Sequence, residues 1–310
     1  MLNSINFVVL GDPSIASQLG KKGTATDIAI YDRKTADTVY TWTVPVTFPD
    51  KIQPLLQAVN IAEYAILNVT RLDKFLGEQV MALDSVGLSD GFVMHSYEVD
   101  REKLRTVLKG TTAANYLFVD SVDDLKQEMS KLKPKGSEGP LMIPVDHVFD
   151  VKGVGTVVLG VVKQGTVKAY DELVLLPSKK NVLVRSIQMH DDPVESSSSP
   201  ARVGLAIKGA GVDDISRGDV ICSPDALDVS SGTISVRFER SPFFKGELPE
   251  NHMYMVSVGM QVKTAKIRLE GENTLHLVPE KPLVYAQGQT IVLLKPDGQG
   301  TRIVGKGSIQ

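Results

Sequence analysis

Residues 5–132 alternate between two kinds of hydrophobic pattern. Short, almost continuous apolar runs such as INFVVLG are typical of buried strands, and segments with apolar residues at helical spacing, such as LGEQVMALDSVG, are typical of amphipathic helices. Strands that alternate with helices predict a mostly parallel sheet covered on both faces. The predicted strands are residues 5–11, 38–46, 63–69, 90–96 and 115–120; the predicted helices are residues 50–60, 76–87, 100–108 and 121–132, with a further helix after Gly11.

The pattern changes after the segment KPKGSEGP (133–140), which is rich in proline, glycine and charge and predicts a linker. Beyond it, short Val- and Ile-rich runs are separated by turn residues, as in 155–162 and 201–209. Strands this short and this close together are typical of antiparallel barrels or sandwiches. A second boundary is predicted at 223–232. The predicted organisation is an α/β domain over residues 1–137, a β-barrel over residues 140–225 and another β-barrel over residues 226–310.

Composition narrows the class of protein. The 310 residues are 42% hydrophobic and 23% charged, with a net charge of -3, so a polyanionic partner would be held by local patches. No apolar run reaches the roughly 18 residues of a membrane span, and we expect a cytoplasmic protein. The single cysteine, Cys222, excludes an internal disulfide and is predicted to lie in the core. The five histidines show no paired spacing, so no metal site is predicted.

Residues 146–220 carry a set of turn and barrel residues in one register. Glycines stand where hairpin turns require a positive φ angle, aliphatic residues alternate between them, and an Arg-Gly-Asp turn precedes a final strand. This stretch resembles domain 2 of the translational GTPases, the EF-Tu and SelB elongation-factor family. The residues that carry the resemblance are Phe149, Gly153, Gly155, Thr156, Val157, Gly160, Gly165, Asp171, Arg185, Ser186, Ile187, Arg202, Val203, Gly204, Arg217, Gly218 and Asp219.

The resemblance implies an architecture and a set of partners. The fold would be a Ras-like, P-loop-type α/β domain followed by two antiparallel β-barrels, similar to domains 2 and 3 of EF-Tu. The segment LGKKGTATDI (19–28) is further similar to the SelB-like archaeal branch of the family. The implied partners are aminoacyl-tRNA, the ribosome and other translation factors, with no membrane and no DNA.

A GTPase of this family needs a phosphate loop, G-x-x-x-x-G-K-[ST], whose N–H groups and lysine hold the phosphates while its hydroxyl binds Mg²⁺. Counted from Gly11, Ala16 replaces the second glycine, Ser17 the lysine and Gln18 the hydroxyl residue. No lysine or arginine follows Gly11 before residue 21, and Pro13 removes one N–H group. The sequence therefore predicts that the phosphate site is lost.

The two other nucleotide motifs are also missing. The Asp-x-x-Gly segment that senses the γ-phosphate would follow the strand at 38–46, where the chain has TFPD instead. The guanine-reading Asn/Thr-Lys-x-Asp is replaced by Tyr97-Glu98-Val99-Asp100, in which only the last carboxylate remains. The vestigial nucleotide-site positions are Gly11, Ser14, Ser17 and Asp100.

These losses predict a degenerate G domain that is kept for its shape. The chain would be a translation elongation factor paralogue of the SelB-like branch, with no catalytic residue and no cofactor, that acts without a GTP switch. Two alternatives stay open. A divergent but active GTPase could hold GTP and Mg²⁺ through an unfamiliar loop with Lys21 or Lys22, or the barrels could form a regulatory module that binds protein partners.

The resemblance also indicates binding residues. In SelB-like factors the aminoacyl end of tRNA is bound at the start of the first domain 2 strand and in the Arg-Val-Gly segment, which here are Asp146, His147 (usually arginine in the family) and Arg202. The alternative for Asp146 and Arg202 is a structural ion pair. Lys21 and Lys22 are candidates for RNA phosphate contacts, and the alternative for them is an exposed loop without a partner.

Overall fold

The computed structural model describes residues 2–250, 252–271, 273–297 and 300–310. The chain divides into two compact units. The first comprises residues 1–134, 239–248 and 292–306, and the second comprises residues 135–238, 249–291 and 307–310.

The N-terminal domain is a seven-stranded sheet with helices on its faces. The sheet order is β2-β3-β4-β1-β5-β6-β7, and the pairs from β4 to β7 are parallel while β2, β3 and β4 pair antiparallel. The elements are β1 (Asn3–Gly11), α1 (Ala16–Leu19), β2 (Lys21–Ala25), β3 (Ile28–Lys34), β4 (Thr38–Pro45), α2 (Gln53–Ile61), β5 (Tyr64–Val69), α3 (Lys74–Val86), β6 (Gly91–His95), α4 (Arg101–Leu108), β7 (Leu117–Phe118) and α5 (Val122–Met129).

The predicted α/β class with a mostly parallel sheet is confirmed, and the differences have physical causes. The sequence pattern gave no strand at β2 and β3, because β2 is an exposed edge strand and the second half of β3 is polar. β4 was predicted as an alternating strand, but all of its residues are buried. The predicted strand at 115–120 shortens to the two residues of β7.

The helix that follows β1 is only four residues long, preceded by one short 3-10 turn at Pro13–Ile15. A row of large rings lies in register across four strands on the face that α1 and α5 cover, and Trp42 in that row is completely buried. Phe7 stacks on Trp42 at 6.0 Å between ring centroids. A Cβ atom on Gly20, just after α1, would lie 2.7 Å from the Trp42 ring. The Trp42 ring therefore leaves no room for a side chain at residue 20.

The second sheet closes into a six-stranded antiparallel barrel, because β11 pairs with both β12 and β16. β13 extends it by one strand, and β10 and β14 form a separate two-stranded sheet. The strands are β8 (Met142–Val151), β9 (Gly155–Val161), β10 (Thr166–Lys168), β11 (Glu172–Leu176), β12 (Lys180–Met189), β13 (Asp192–Val194), β14 (Ser196–Ser198), β15 (Arg202–Lys208) and β16 (Val220–Cys222).

Cys222 ends β16 in the core, as the sequence predicted. Its side chain packs with Leu176, Val220 and Val284 and is 1% exposed. Burial raises the pKa of the Cys222 thiol to about 11, so the thiol is protonated and inert at neutral pH.

The last sheet is a second closed antiparallel barrel of six strands, in the order β18-β21-β20-β19-β23-β24, with β17 and β22 paired beside it. The strands are β17 (Asp228–Ser230), β18 (Ile234–Arg240), β19 (Met253–Val258), β20 (Gln261–Glu270), β21 (Thr274–Pro279), β22 (Leu283–Tyr285), β23 (Thr290–Leu294) and β24 (Ile303–Ile309). The two-barrel prediction is confirmed. No helix in the described ranges has both the length and the apolar character needed to cross a membrane.

Candidate functional site

Gly11 ends β1 at the carboxyl edge of the sheet, where a phosphate loop would begin. Its φ angle is +79°, in the region that favours glycine. A Cβ atom at this position would overlap the carbonyl oxygen of Asn68 at the end of β5. The glycine is therefore required for the close approach of two neighbouring strands, independently of any ligand.

The backbone donors of the loop after Gly11 are occupied by the protein itself. The Gly11 N–H donates to the side-chain oxygen of Gln79 at 3.1 Å. The Asp12 N–H donates to the Asn68 carbonyl at 2.8 Å, and the Asn68 amide returns a bond of 3.0 Å to the Asp12 carbonyl. The Ser14 N–H donates to the Asp12 carboxylate at 2.9 Å. These are the kind of N–H groups that bind phosphate in a working loop, and here their acceptors are Gln79, Asn68 and Asp12.

A cavity of about 340 Å³ opens beside this loop. Its walls include Pro13 and the rings of Phe48 and Phe75, which meet edge to face at 6.2 Å. The charged groups among its described lining residues are Asp12, Asp73 and one cation, Arg71, and the Arg71 guanidinium pairs with Asp73 at 2.8 Å. The cavity is lined by rings and carboxylates, so it is a poor environment for a triphosphate.

Ser17 and Asp100, which the sequence predicted as vestigial nucleotide-site positions, have local structural roles. The Ser17 hydroxyl donates to the Ser14 carbonyl at 2.8 Å. The Asp100 carboxylate caps α4 by accepting from the N–H groups of Lys103 at 3.0 Å and Glu102 at 2.9 Å. The hydrogen bond from the Lys103 N–H is the largest cause that lowers the pKa of Asp100. Asp100 therefore has a structural role as the N-cap of α4.

The helix that supplies Gln79 also carries a buried ion pair. Glu78 on α3 is 4% exposed at its side chain and receives Arg302 in a two-pronged contact, with Nη2 at 2.6 Å and Nε at 3.0 Å. The backbone N–H of Arg302 donates to the same carboxylate at 2.8 Å, and its Nη1 donates to the Pro49 carbonyl at 2.8 Å. Two adjacent residues of α3 thus bind different parts of the chain. Gln79 accepts from the Gly11 N–H, and Glu78 binds Arg302.

The structure brings the three candidate residues for the aminoacyl end together on the first barrel. Arg202 on β15 donates to both oxygens of Asp146 on β8, at 2.8 Å from Nη2 and 3.1 Å from Nε. His147 Nδ1 lies 2.6 Å from the same carboxylate. Asp146 is 2% exposed and His147 is 8% exposed, whereas the Arg202 side chain keeps 17% of its surface.

The electrostatics of this cluster keep the carboxylate ionised. Burial by itself would raise the pKa of Asp146, but the Arg202 guanidinium and the hydrogen bond from His147 outweigh burial and lower it. The Arg217 guanidinium adds a 3.1 Å bond from Nε to the Asp146 carbonyl. Asp146 is therefore contacted by one arginine at its carboxylate and by another at its backbone carbonyl.

An aromatic surface adjoins the arginines. The His147 ring stacks on Phe149 with centroids 6.1 Å apart and planes 9° apart, and Phe149 is 37% exposed. The two rings can stack because His147 and Phe149 are alternate residues of β8 and therefore lie on the same face of the strand. A guanidinium beside a partly exposed ring suits a ligand that combines an anionic group with a flat ring.

Lys21 and Lys22, the candidates for RNA phosphate contacts, lie on β2, the edge strand of the N-terminal sheet, and both are exposed. They are therefore part of a strand, whereas the alternative placed them in a loop. Among the described residues, no group of three His, Cys, Asp or Glu side chains is arranged to hold a metal ion.

Comparison with known proteins identifies the family. The family model for elongation factor Tu domain 2 matches residues 155–222. The elongation factor 1-alpha of Pyrobaculum arsenaticum is 29% identical over 253 residues, which cover 79% of this chain and 56% of the relative. The SelB elongation factor of Methanococcus maripaludis, solved with the GTP analogue GppNHp, superposes with a TM-score of 0.85 over the whole chain. The chain is a member of the translational GTPase superfamily.

Other similar proteins show how much of the chain the likeness covers. An uncharacterized protein of Methanocaldococcus jannaschii is 33% identical over 299 residues, covering 95% of this chain and 96% of its own length. The SelB structure shares 23% sequence identity with this chain, which covers 79% of the SelB chain. The bacterial selenocysteine-specific elongation factor EF-Sec has a TM-score of 0.83 and 20% identity, and this chain covers 58% of it. The chain spans about half the length of the elongation factor 1-alpha sequence that it matches.

Sequence reasoning missed two buried polar residues of α3 that bond distant parts of the chain. Gln79 and Glu78 lie within a helical pattern where polar residues are expected to face solvent, yet both are buried. Their partners are 68 and 224 positions away in the chain. One local signal could have revealed them. The helical spacing of the leucines and valines around Glu78 and Gln79 indicates that these two polar residues also face the core.

We expect Gly11→Ala to destabilise the N-terminal domain by about 2–3 kcal/mol, because the new Cβ meets a backbone carbonyl and the positive φ is strained for alanine. Gly77→Ala is the matched control. It lies inside α3 with no atom within 4 Å of the new Cβ, so it should stabilise by roughly 0.5–1 kcal/mol. Denaturant unfolding of both variants checks this pair, and equal effects would contradict the account of Gly11.

Proposed function

We propose that this chain is a nucleotide-independent translation factor that binds the aminoacylated end of tRNA on its first barrel. The observation that carries the proposal is the hydrogen bond from the Gly11 N–H to Gln79, because an internal side chain takes the first donor that a phosphate loop offers. We take residues 1–137, 140–225 and 226–310 as its domains.

Electrostatics at the former phosphate site support nucleotide independence. A triphosphate would have to displace Gln79, break the Ser14–Asp12 bond and lie beside the Asp12 and Asp73 carboxylates. Like charges at close range oppose binding, and the loop has no lysine to offset them. Without a γ-phosphate to order a switch segment, release of a ligand would not be driven by hydrolysis.

The cluster on the first barrel supports binding of a charged tRNA end. Arg202 is held rigidly by Asp146, so its partly exposed edge is pre-oriented for an anion. The partly exposed Arg202 guanidinium suits the terminal phosphate, and the His147–Phe149 pair provides a surface on which an adenine ring can stack. The elongation-factor names of the relatives are consistent with such partners.

The test is filter binding of aminoacylated and deacylated tRNA, each with and without GTP and Mg²⁺. We expect the full chain to retain aminoacylated tRNA preferentially and to the same extent with and without nucleotide. Arg202→Lys keeps the charge but loses the two-pronged contact with Asp146, and it should reduce the preference by about tenfold. Arg185→Ala, an exposed arginine on the neighbouring strand β12, is the control and should behave as the parent.

Two outcomes would contradict this proposal. Retention that increases strongly with GTP would favour the divergent GTPase. Absence of RNA retention at low salt, where phosphate contacts are strongest, would favour a module that binds proteins.

A further inference from the structure

Arg33 on β3 is a half-buried cation with no acidic partner in the described ranges. Its guanidinium lies over two rings of β4, 5.5 Å from the Tyr40 centroid and 5.6 Å from that of Trp42. Its Nε atom is buried and has no hydrogen-bond acceptor among the described residues. The buried N–H groups of arginine usually have a hydrogen-bond acceptor, because burying a donor without one costs free energy.

The register of the sheet places one of the two edge lysines beside Arg33. Lys22 of β2 is directly opposite Tyr31 of β3, and Lys21 is opposite Asp32. Residues opposite each other share a face and successive residues alternate, so Lys22, Tyr31 and Arg33 lie on one face. Lys21 and Asp32 lie on the other.

The acidic groups nearest in sequence are directed elsewhere. Asp32 lies on the opposite face, where its carboxylate is close to Gly23. Asp37, in the turn between β3 and β4, accepts hydrogen bonds from the hydroxyls of Thr35 at 3.1 Å and Thr38 at 3.2 Å. The face that carries Lys22 and Arg33 therefore combines two cations with aromatic rings at the open edge of the sheet.

We propose that Lys22, Tyr31 and Arg33 form a binding site for a backbone phosphate of RNA. Arg33 would supply planar N–H donors that stacking on Tyr40 and Trp42 has already oriented, and Lys22 would supply a mobile positive charge from the edge strand. The Tyr31 ring between them offers a surface for a neighbouring base. This inference rests on the proposed function, because it requires an RNA partner, and it assigns the two lysines different roles.

The experiment compares Lys22→Glu with Lys21→Glu in the full chain. The two residues are adjacent, exposed and on the same strand, and they differ in the face they occupy. The probe is deacylated tRNA in filter binding across a salt series. We expect Lys22→Glu to weaken binding about tenfold and to reduce the salt slope by about 1, while Lys21→Glu changes affinity by less than about twofold.

A second readout uses Trp42, the only tryptophan of the chain. Because the Arg33 guanidinium lies over its ring, tRNA should change the tryptophan emission in the parent and not in Arg33→Gln. Inorganic phosphate is a second probe, and a poly-glutamate peptide tests whether carboxylates bind instead.

The outcomes separate this inference from the proposed function. Equal losses in Lys22→Glu and Lys21→Glu, with tRNA still retained by the parent, would overturn the site but not the tRNA proposal. Tighter binding of poly-glutamate than of tRNA would assign the face to an acidic protein and overturn the site. A parent chain that retains no tRNA would overturn both.

Discussion

Arg302→Leu should destabilise the first compact unit by about 3–5 kcal/mol, because it leaves the Glu78 carboxylate buried without its counter-charge. Three side-chain hydrogen bonds from Arg302 to Glu78 and the bond to the Pro49 carbonyl are lost together, while the backbone N–H of residue 302 can still donate to Glu78. Guanidinium unfolding followed by Trp42 fluorescence measures the effect within the same unit.

The double variant Glu78→Leu with Arg302→Leu separates two explanations. If the penalty in the single variant comes from an unpaired buried charge, replacing both partners should restore most of the lost stability. If the ion pair itself provided the stability, the double variant would be as unstable as the single one. Arg71→Leu, which removes an exposed arginine from a surface pair with Asp73, should change stability by less than about 1 kcal/mol.

Asp146→Asn should lower the stability of the first barrel by about 3 kcal/mol at neutral pH, since the arginine and the histidine that surround it lose their charged partner. Asp150→Asn is the matched control, because Asp150 lies on the same strand and is exposed. Thermal unfolding of the three proteins should show a large loss in the first variant and little change in the second.

The stability difference between the parent and Asp146→Asn should depend on pH. The pKa of Asp146 is lowered in the folded protein, so its contribution is fully present above the unfolded value of about 3.9. That contribution is lost as the pH falls through the lowered folded value. The stability difference between the parent and Asp146→Asn should therefore be constant from pH 7 to pH 5 and should shrink below about pH 4. A difference that stays constant down to pH 2 would contradict the assigned role of the carboxylate.

The fold could be predicted from the sequence where the hydrophobic pattern of a segment matches its burial in the folded domain. The buried runs of β1 and β5 and the periodic α3 were found within a few residues, because each carries its own signal. The barrel strands followed from short apolar runs between turns. β2 and β3 were missed, because an edge strand that carries Lys21 and Lys22 has the composition of a loop.

The candidate site could be predicted only in part. Asp146 and Arg202 were identified from the family resemblance, and the structure adds that the carboxylate is buried under the arginine. The sequence shows that no lysine or arginine follows Gly11 before residue 21, but it could not show the contact of Gln79 with Gly11, since Gln79 lies on a helix far along the chain. Long-range hydrogen bonds of this type leave no periodic trace in a sequence.

We propose that the protein's own groups occupy the place where a phosphate loop would bind a nucleotide. Isothermal titration of the full chain with GTP, GDP and a non-hydrolysable GTP analogue, each with Mg²⁺, tests it most directly. We expect no saturable heat at nucleotide concentrations that would saturate a GTP-binding member of the family. Binding at micromolar affinity or tighter, abolished by substitutions between residues 11 and 19, would contradict it.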